Sequence, residues 1–171
     1  SLEEVRTALI KERPDVVYVF APFSNPSLEF LENVGFHLMT VRNTYALKRG
    51  VPEQAPQLPE GYRLASLVDG IKPSEEALRD MAVTIGSPGR YFHDPRIKRE
   101  EAIELYMSWL RNSLYQDYAQ EVFAIFKGET MTGLITIKVK EDKGYIDLMG
   151  VLPSHQGSGL GSILHDRAVR D

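Results

Sequence analysis

The stretch GVLPSHQGSGLGSILHDRAV, residues 150–169, is the most informative part of the sequence. An apolar strand tail reaches Pro153, and glycines at positions 157, 159 and 161 then lead into an amphipathic helix that begins near residue 158. The start of a helix leaves backbone N–H groups unpaired and carries a partial positive charge, and glycine lets a ligand approach that backbone closely. The pattern therefore predicts a turn that binds a phosphate group.

Two common phosphate-binding motifs do not fit this turn. A Walker loop ends in Gly-Lys-Ser or Gly-Lys-Thr, whereas Gly161 is followed here by Ser162 and Ile163. A dinucleotide-binding fingerprint spaces its glycines as G-x-G-x-x-G directly after a parallel strand, whereas the third glycine here comes one residue early and the preceding strands form hairpins. A glycine-rich helix entrance with no ligand is the structural alternative.

The segment before the turn predicts an α+β unit. A strand at 62–68 is followed by a helix capped by Ser74, a Gly- and Pro-containing loop at 86–97 and an amphipathic helix at 98–115. EVFAIF and MTGLITIKVK flank a KGET turn and form a hairpin, and a third strand, YIDLMGV, follows at 145–151. The order β–α–α–β–β–β–α predicts a mainly antiparallel sheet with helices.

The first part of the chain predicts a smaller unit. A helix is expected over residues 1–13, a strand over 15–21, a short helix from Asn25-Pro26 to a stop at Gly35, and one or two strands over 36–49. Residues 50–60 carry three prolines and are the best linker, so we divide the chain into 1–57 and 58–171.

Composition excludes several classes of function. The net charge of −4 argues against a broad nucleic-acid surface, and the absence of cysteine excludes a disulfide scaffold and a thiolate nucleophile. No apolar run is long enough for a membrane span and no signal peptide opens the chain, so a cytoplasmic location is expected. The histidines at 37, 93, 155 and 165 have no metal-ligand spacing, so no metal is expected.

The stretch from Gly150 to Val169 resembles the acetyl-CoA signature of the GNAT acetyltransferases, with Gln-x-x-Gly-x-Gly at Gln156, Gly159 and Gly161 after a strand. The upstream order of strands and helices matches the first four strands of that fold. The resemblance implies that the pantetheine arm of acetyl-CoA pairs with the strand and that the turn binds the pyrophosphate. The residues implied are Leu148, Met149, Gly150 and Val151 for the arm, and Gln156, Gly157, Ser158, Gly159, Leu160 and Gly161 for the phosphates.

The segment NPSLEFLENVGF, residues 25–36, resembles the later half of the same fold, so the chain is expected to begin with a half-GNAT unit. Either the usual later half would follow Asp171 and is absent from this sequence, or the order is permuted; we prefer the first. In the family, a Tyr on the helix of that half often protonates the leaving thiolate. This sequence has Phe30 at the corresponding place, so the donor is expected beyond Asp171.

Residues 89–114 resemble a segment of bacterial acetyltransferases that act on TDP-4-amino-4,6-dideoxyhexoses, such as TDP-fucosamine acetyltransferases. On this resemblance, we expect Arg90 and Arg96 to bind a nucleotide diphosphate and Tyr91 or Phe92 to stack on sugar or base. The alternative is a solvated loop whose aromatic side chains fill the core. Trp109 is expected in the core.

Direct acetyl transfer needs a neutral amine and a polarised carbonyl. By resemblance, the backbone N–H of Val151 holds the oxyanion. Asp147 is a candidate general base, and the alternative is an exposed carboxylate that faces Lys138 or Lys140. The expected function is an acetyl-CoA-dependent N-acetyltransferase that acts on a nucleotide-linked amino sugar. Another small amine, a protein N-terminus and a non-catalytic acyl-CoA-binding module remain alternatives, and a homodimer is one option.

Overall fold

The computed structural model describes residues 7, 10–12, 14, 16–22, 24–47, 54–67, 70–141 and 143–170. The chain divides into two compact units, residues 1–42 and 43–171. The predicted domain boundary at residue 57 stays a prediction. The likeness of the first unit to half of a GNAT fold stays a prediction.

The first unit contains one helix with described bounds, α1 (Asn25–Asn33), and Gly35 stops it with a φ of +92°, as predicted. The predicted strands were wrong over residues 16–22 and 36–47, which the structure describes as irregular chain. A strand is stable only when its N–H and C=O groups pair with a neighbour, and apolar composition does not supply that neighbour. Of the helix predicted over 1–13, residues 7 and 10–12 are helical and the others lie outside the described residues.

The second unit is built on a four-stranded antiparallel sheet whose order is β1-β2-β3-β4, as predicted. The strands are β1 (Tyr62–Ser66), β2 (Glu121–Lys127), β3 (Thr130–Lys140) and β4 (Lys143–Val151). The helices are α2 (Glu75–Gly86), α3 (Arg90–His93), α4 (Arg99–Tyr115) and α5 (Leu160–Arg170). The short helix α3 lies inside the segment that the sequence predicted to be loop.

Helices cover both faces of the sheet, and strand β3 shows why. Leu134 packs with Met81 of α2 and Leu110 of α4, whereas its neighbour Ile135 packs with Leu164 of α5. Successive side chains of a strand point to opposite faces, so a strand covered on both faces is apolar throughout instead of alternating. Residues 131–137 of β3 are all buried accordingly. This arrangement places the start of α5 at the end of β4.

Candidate functional site

The glycine turn lies between a short 3₁₀ turn, Pro153–His155, and the first residue of α5. Gly157 and Gly159 have φ values of +78° and +82°, and a Cβ added at either would meet no atom within 4 Å. L-residues rarely adopt such φ values, which favours glycine at both positions. Because the space around both Cβ positions is open, no neighbouring atom of the described residues blocks access to this backbone. Their main chain is therefore accessible to a ligand.

The first amides of α5 lack acceptors within the helix. Within the part of the chain that the structure describes, Ile163 is the first residue of α5 whose N–H finds an i−4 acceptor, the carbonyl oxygen of Gly159, at 3.2 Å. The N–H groups before it belong to the first turn of the helix, where a positive partial charge accumulates. A helix start of this kind favours an anion, and the phosphate-binding role of the turn stays a prediction.

Side chains of the turn fix its shape. The Gln156 Nε2 donates to the Val151 carbonyl oxygen at 2.9 Å, and the Ser158 hydroxyl donates to the His155 carbonyl oxygen at 2.6 Å. The His155 Nδ1 lies 2.8 Å from the Tyr62 hydroxyl, which ties the turn to β1. Gln156 and Ser158 therefore support the turn with their side chains, and a phosphate would meet their backbone.

The end of β4 presents one edge to solvent. The Leu152 N–H donates to the Thr132 carbonyl oxygen at 2.8 Å, so it points to β3. Because alternate residues of a strand direct their N–H groups to opposite edges, the Val151 N–H points away from β3. The Val151 carbonyl oxygen on that edge accepts the Gln156 bond, which leaves the Val151 N–H as the donor next to the turn.

These features fit acetyl-CoA, which the resemblance implied. The open glycines and first-turn amides suit its pyrophosphate, and the outer edge of β4 suits the amide groups of its pantetheine arm. Leu148 differs from the other expected arm residues, because its N–H donates to the Thr136 Oγ1 at 3.0 Å and its side chain is buried. Leu160 is also buried, so only its backbone can reach a phosphate.

A bulge in β4 directs Asp147 into a cavity. Ile135 pairs with Met149 but Ile137 pairs with Ile146, so β4 has one residue more than β3 between these pairs. Ile146 and Met149 lie opposite the two isoleucines, so the two residues between them, Asp147 and Leu148, share the face that packs on α4. The bulge explains how an exposed carboxylate and a buried leucine can be neighbours on one face.

The cavity beside the bulge has a volume of about 370 Å³. It is lined by Trp109, Asn112, Ser113, Tyr118, Asp147 and Leu148. Among the described residues, the Asp147 carboxylate has no ion pair and no hydrogen bond, so it is open to a ligand. An aromatic wall, an amide, a hydroxyl and a carboxylate are suited to a small polar molecule that carries an amine.

Two of the predicted acceptor residues, Arg90 and Phe92, lie in α3, and Arg96 lies in the loop between α3 and α4; all three contact their own neighbours. Arg96 forms a two-point ion pair with the buried Asp94 carboxylate, with N–O distances of 2.8 and 2.6 Å. The Arg90 guanidinium donates to the Tyr91 hydroxyl at 2.7 Å, and Phe92 packs edge-on against Tyr106. These contacts order the loop, and the role of the three residues in substrate binding stays a prediction.

Aromatic rings connect α3 to the wall of the cavity. Tyr91 contacts Trp109 edge-on at 5.9 Å between ring centroids, and Tyr106 contacts the same ring at 4.8 Å. Burial raises the pKa of the Tyr106 hydroxyl, and the nearby charge of Arg90 opposes this effect. Trp109 was expected in the core, and it both packs on that core and forms one wall of the cavity.

Sequence analysis missed the polar residues of α4 that line the cavity. Trp109, Asn112 and Ser113 stand at positions i, i+3 and i+4, so they share one face of the helix. Ser113 is 3% exposed. The signal in the sequence was a hydroxyl residue on an otherwise apolar face of the helix. Thr136 was missed as well, because its role depends on the bulge opposite it.

A second groove, of about 430 Å³, begins at the last glycine of the turn and follows the outer side of α5. It is lined by Leu47, Pro56, Gly161, Ser162, His165, Asp166 and Val169. Among the described residues, no helix is long and apolar enough to cross a membrane. In the same part of the chain, no group of three or more histidine, aspartate or glutamate side chains could hold a metal ion.

Comparison with known proteins gives a family match for the second half of the chain. Residues 90–171 match the model of the acetyltransferase (GNAT) family. The spore coat polysaccharide biosynthesis protein SpsD of Bacillus subtilis (strain 168) is 33% identical over 85 residues, which cover 50% of this chain and 29% of that protein. The chain therefore spans less than a third of this curated relative.

Solved structures similar to the chain include a Pyrococcus horikoshii protein described as an acetyltransferase, with 19% identity and a TM-score of 0.46. The match covers 69% of this chain and 37% of that one. A predicted acetyltransferase of Clostridium acetobutylicum, solved with acetyl-CoA, is 18% identical with a TM-score of 0.39 and covers 64% of this chain and 70% of its own.

The antiparallel sheet, the flanking helices and the glycine turn that follows β4 are those of the GNAT fold, and the segment over residues 90–171 is similar to the acetyltransferase (GNAT) family.

Proposed function

We propose that this chain binds acetyl-CoA and transfers its acetyl group directly to a primary amine, and that the amine belongs to a nucleotide-linked amino sugar. One observation carries the proposal. Strand β4 places an open glycine turn, the outward N–H of Val151 and the unpaired carboxylate of Asp147 along a few residues of one strand. An acetyl donor and an amine would meet between the turn and the cavity.

The chemistry assigns a role to each group. Acetyl-CoA supplies the acetyl group as a thioester, which is an activated acyl donor. An ammonium ion must first lose a proton, and the Asp147 carboxylate is placed to accept it directly or through water. The new bond joins the amine nitrogen to the acetyl carbon as the C–S bond breaks, and the second nitrogen proton ends on the thiol. The Val151 N–H stabilises the charge that develops on the acetyl oxygen.

The preference for an amino sugar has three supports. Residues 89–114 are similar to acetyltransferases of nucleotide-linked amino sugars, and SpsD is named for the biosynthesis of a polysaccharide. The cavity adds a physical support, because an aromatic wall beside hydrogen-bonding groups suits a sugar ring.

The test is acetyl transfer by the whole chain to a panel of amines, measured as release of free thiol, together with binding of CoA. The panel contains TDP-linked amino sugars, free amino sugars, polyamines and a peptide N-terminus. We expect turnover to be fastest with a TDP-linked amino sugar. Turnover with the peptide alone would contradict the sugar assignment, and CoA binding without any turnover would favour a non-catalytic module.

Asp147→Asn tests the proposed base. We expect kcat to fall by at least about 100-fold, the usual range for loss of a general base, while the Kd for acetyl-CoA stays within twofold. Glu129→Gln is the matched control, because it removes an exposed carboxylate from the β2–β3 turn, which does not line the cavity. Equal activity of the Asp147 variant and the wild type would refute its role.

A further inference from the structure

One lysine lies at the mouth of the cavity in an aromatic setting. The Nζ of Lys138, on β3, lies 3.7 Å from the centroid of the Tyr118 ring, and Tyr118 lines the cavity together with Asp147. Among the described residues, this ring is the contact of the Lys138 ammonium, and no carboxylate neutralises it. The cavity therefore has an anionic group inside and a cationic group at its mouth.

A second aromatic ring stands on the other side of the lysine. Tyr145 on β4 is the register partner of Lys138. Residues directly opposite each other on antiparallel strands point to the same face, with Cβ atoms about 5 Å apart. Tyr118 and Tyr145 are 50% and 46% exposed. We define Tyr118, Lys138 and Tyr145 as the rim.

The charges of the cavity and the rim select a particular ligand. A free amine is cationic in water, so Asp147 attracts it while Lys138 repels it. An acceptor whose amine is at one end and whose anionic group is at the other satisfies both charges. The two residues from Asp147 to Tyr145 span roughly 7 Å along the strand, which is about the reach of one sugar ring and its linking oxygen.

We infer that the rim binds the diphosphate and the base of a nucleotide-linked amino sugar, with the phosphates on Lys138 and the base against Tyr118 or Tyr145. The inference rests on the proposed function and assigns a determinant of specificity that differs from Arg90 and Arg96. Those two side chains already contact Tyr91 and Asp94, whereas the contact of Lys138 within the described ranges is a ring that a base can also contact.

The experiment compares two acceptors that share one amino sugar, with and without the thymidine diphosphate group. We expect Lys138→Gln to raise the KM for the TDP-linked acceptor about 10-fold, the loss of one charged hydrogen bond. It should leave the KM for the free amino sugar and for acetyl-CoA within twofold. Lys140→Gln is the matched control. It removes the same charge two residues further along β3.

A binding measurement keeps the test independent of turnover. Lys138→Gln should bind thymidine diphosphate about 10-fold more weakly than the wild type, and Lys140→Gln should bind it as the wild type does. Tyr118→Phe should keep the affinity for thymidine diphosphate, whereas Tyr118→Ala should lose it. If Lys138→Gln still turns over and its KM for the TDP-linked acceptor and its affinity for thymidine diphosphate are unchanged, the inference is overturned. Absence of acetyl transfer with every amine would instead overturn the proposed function.

Discussion

Gly159 offers the sharpest test of the glycine turn. Its φ is +82° and the space where a Cβ would stand is open, so Gly159→Glu places a carboxylate where the pyrophosphate is expected. A carboxylate at roughly 5 Å from one phosphate charge costs about 1 to 3 kcal/mol, depending on the local screening. Two phosphate charges give about 2 to 6 kcal/mol, so we expect the Kd for CoA to rise at least about 30-fold.

Two further variants separate charge from shape. Gly159→Gln has nearly the same size and the same unfavourable φ without the charge, so the ratio of the Kd values of the Glu and Gln variants isolates the electrostatic effect. Gly128 also has a positive φ, of +59°, and open space around its Cβ position, but it lies in the β2–β3 hairpin. Gly128→Glu should cost about 1 to 2 kcal/mol of stability, as Gly159→Glu does, without changing the affinity for CoA.

The assay is isothermal titration calorimetry with CoA and, in parallel, S-acetyl-pantetheine, which lacks the pyrophosphate. The Gly159→Glu variant should lose affinity for CoA and keep the wild-type affinity for S-acetyl-pantetheine. Added salt should reduce the difference between the Glu and Gln variants, because the carboxylate is exposed. An unchanged Kd for CoA in Gly159→Glu, or an equal loss in Gly128→Glu, would refute the assignment of the phosphate site.

Two other side chains, one in the turn and one on β1, give smaller predicted effects. Gln156→Ala removes the 2.9 Å bond to the Val151 carbonyl oxygen, so we expect a KM for acetyl-CoA several-fold higher in steady-state kinetics, and an unchanged KM would show that the bond does not order the turn. Tyr62→Phe removes the hydroxyl that lies 2.8 Å from His155 Nδ1 and should lower the free energy of unfolding by about 1 kcal/mol, a shift of about 2 to 4 °C in Tm by calorimetry. A Tm equal to that of the wild type would contradict a stabilising role for this bond.

The sequence predicted features whose signal lies within a few residues. Three such features were confirmed: the positive φ of the turn glycines, the helix cap at Ser74 and the hairpin of β2 and β3. The Ser74 Oγ accepts the Ala77 N–H at 3.1 Å. Each depends on a local interaction: a residue that accepts a positive φ, a side chain three residues from its partner, or a short turn between apolar strands. The antiparallel pairing of β2 with β3 and of β3 with β4 followed because short turns join these strands, whereas β1 pairs with β2 across a long helical connection.

The predicted strands of the first unit show the limit of the same approach. Residues 16–20 are rich in β-branched and aromatic side chains, yet they form no strand, and Phe20 is 66% exposed. A helix closes its hydrogen bonds within one segment, whereas a strand requires a second segment. Composition alone therefore predicts α1 better than it predicts the strands on either side.

The sequence by itself determined the glycine turn and the fold around it, because their interactions are local and their residue types are restrictive. Only the tertiary structure decided how the side chains are used. It placed an extra residue in β4 opposite Thr136, so that Asp147 and Leu148 share one face, and it brought Trp109 and Tyr118 to that carboxylate. A bulge and a cavity depend on the register between strands and on a helix packed across them, and neither is encoded in any single segment.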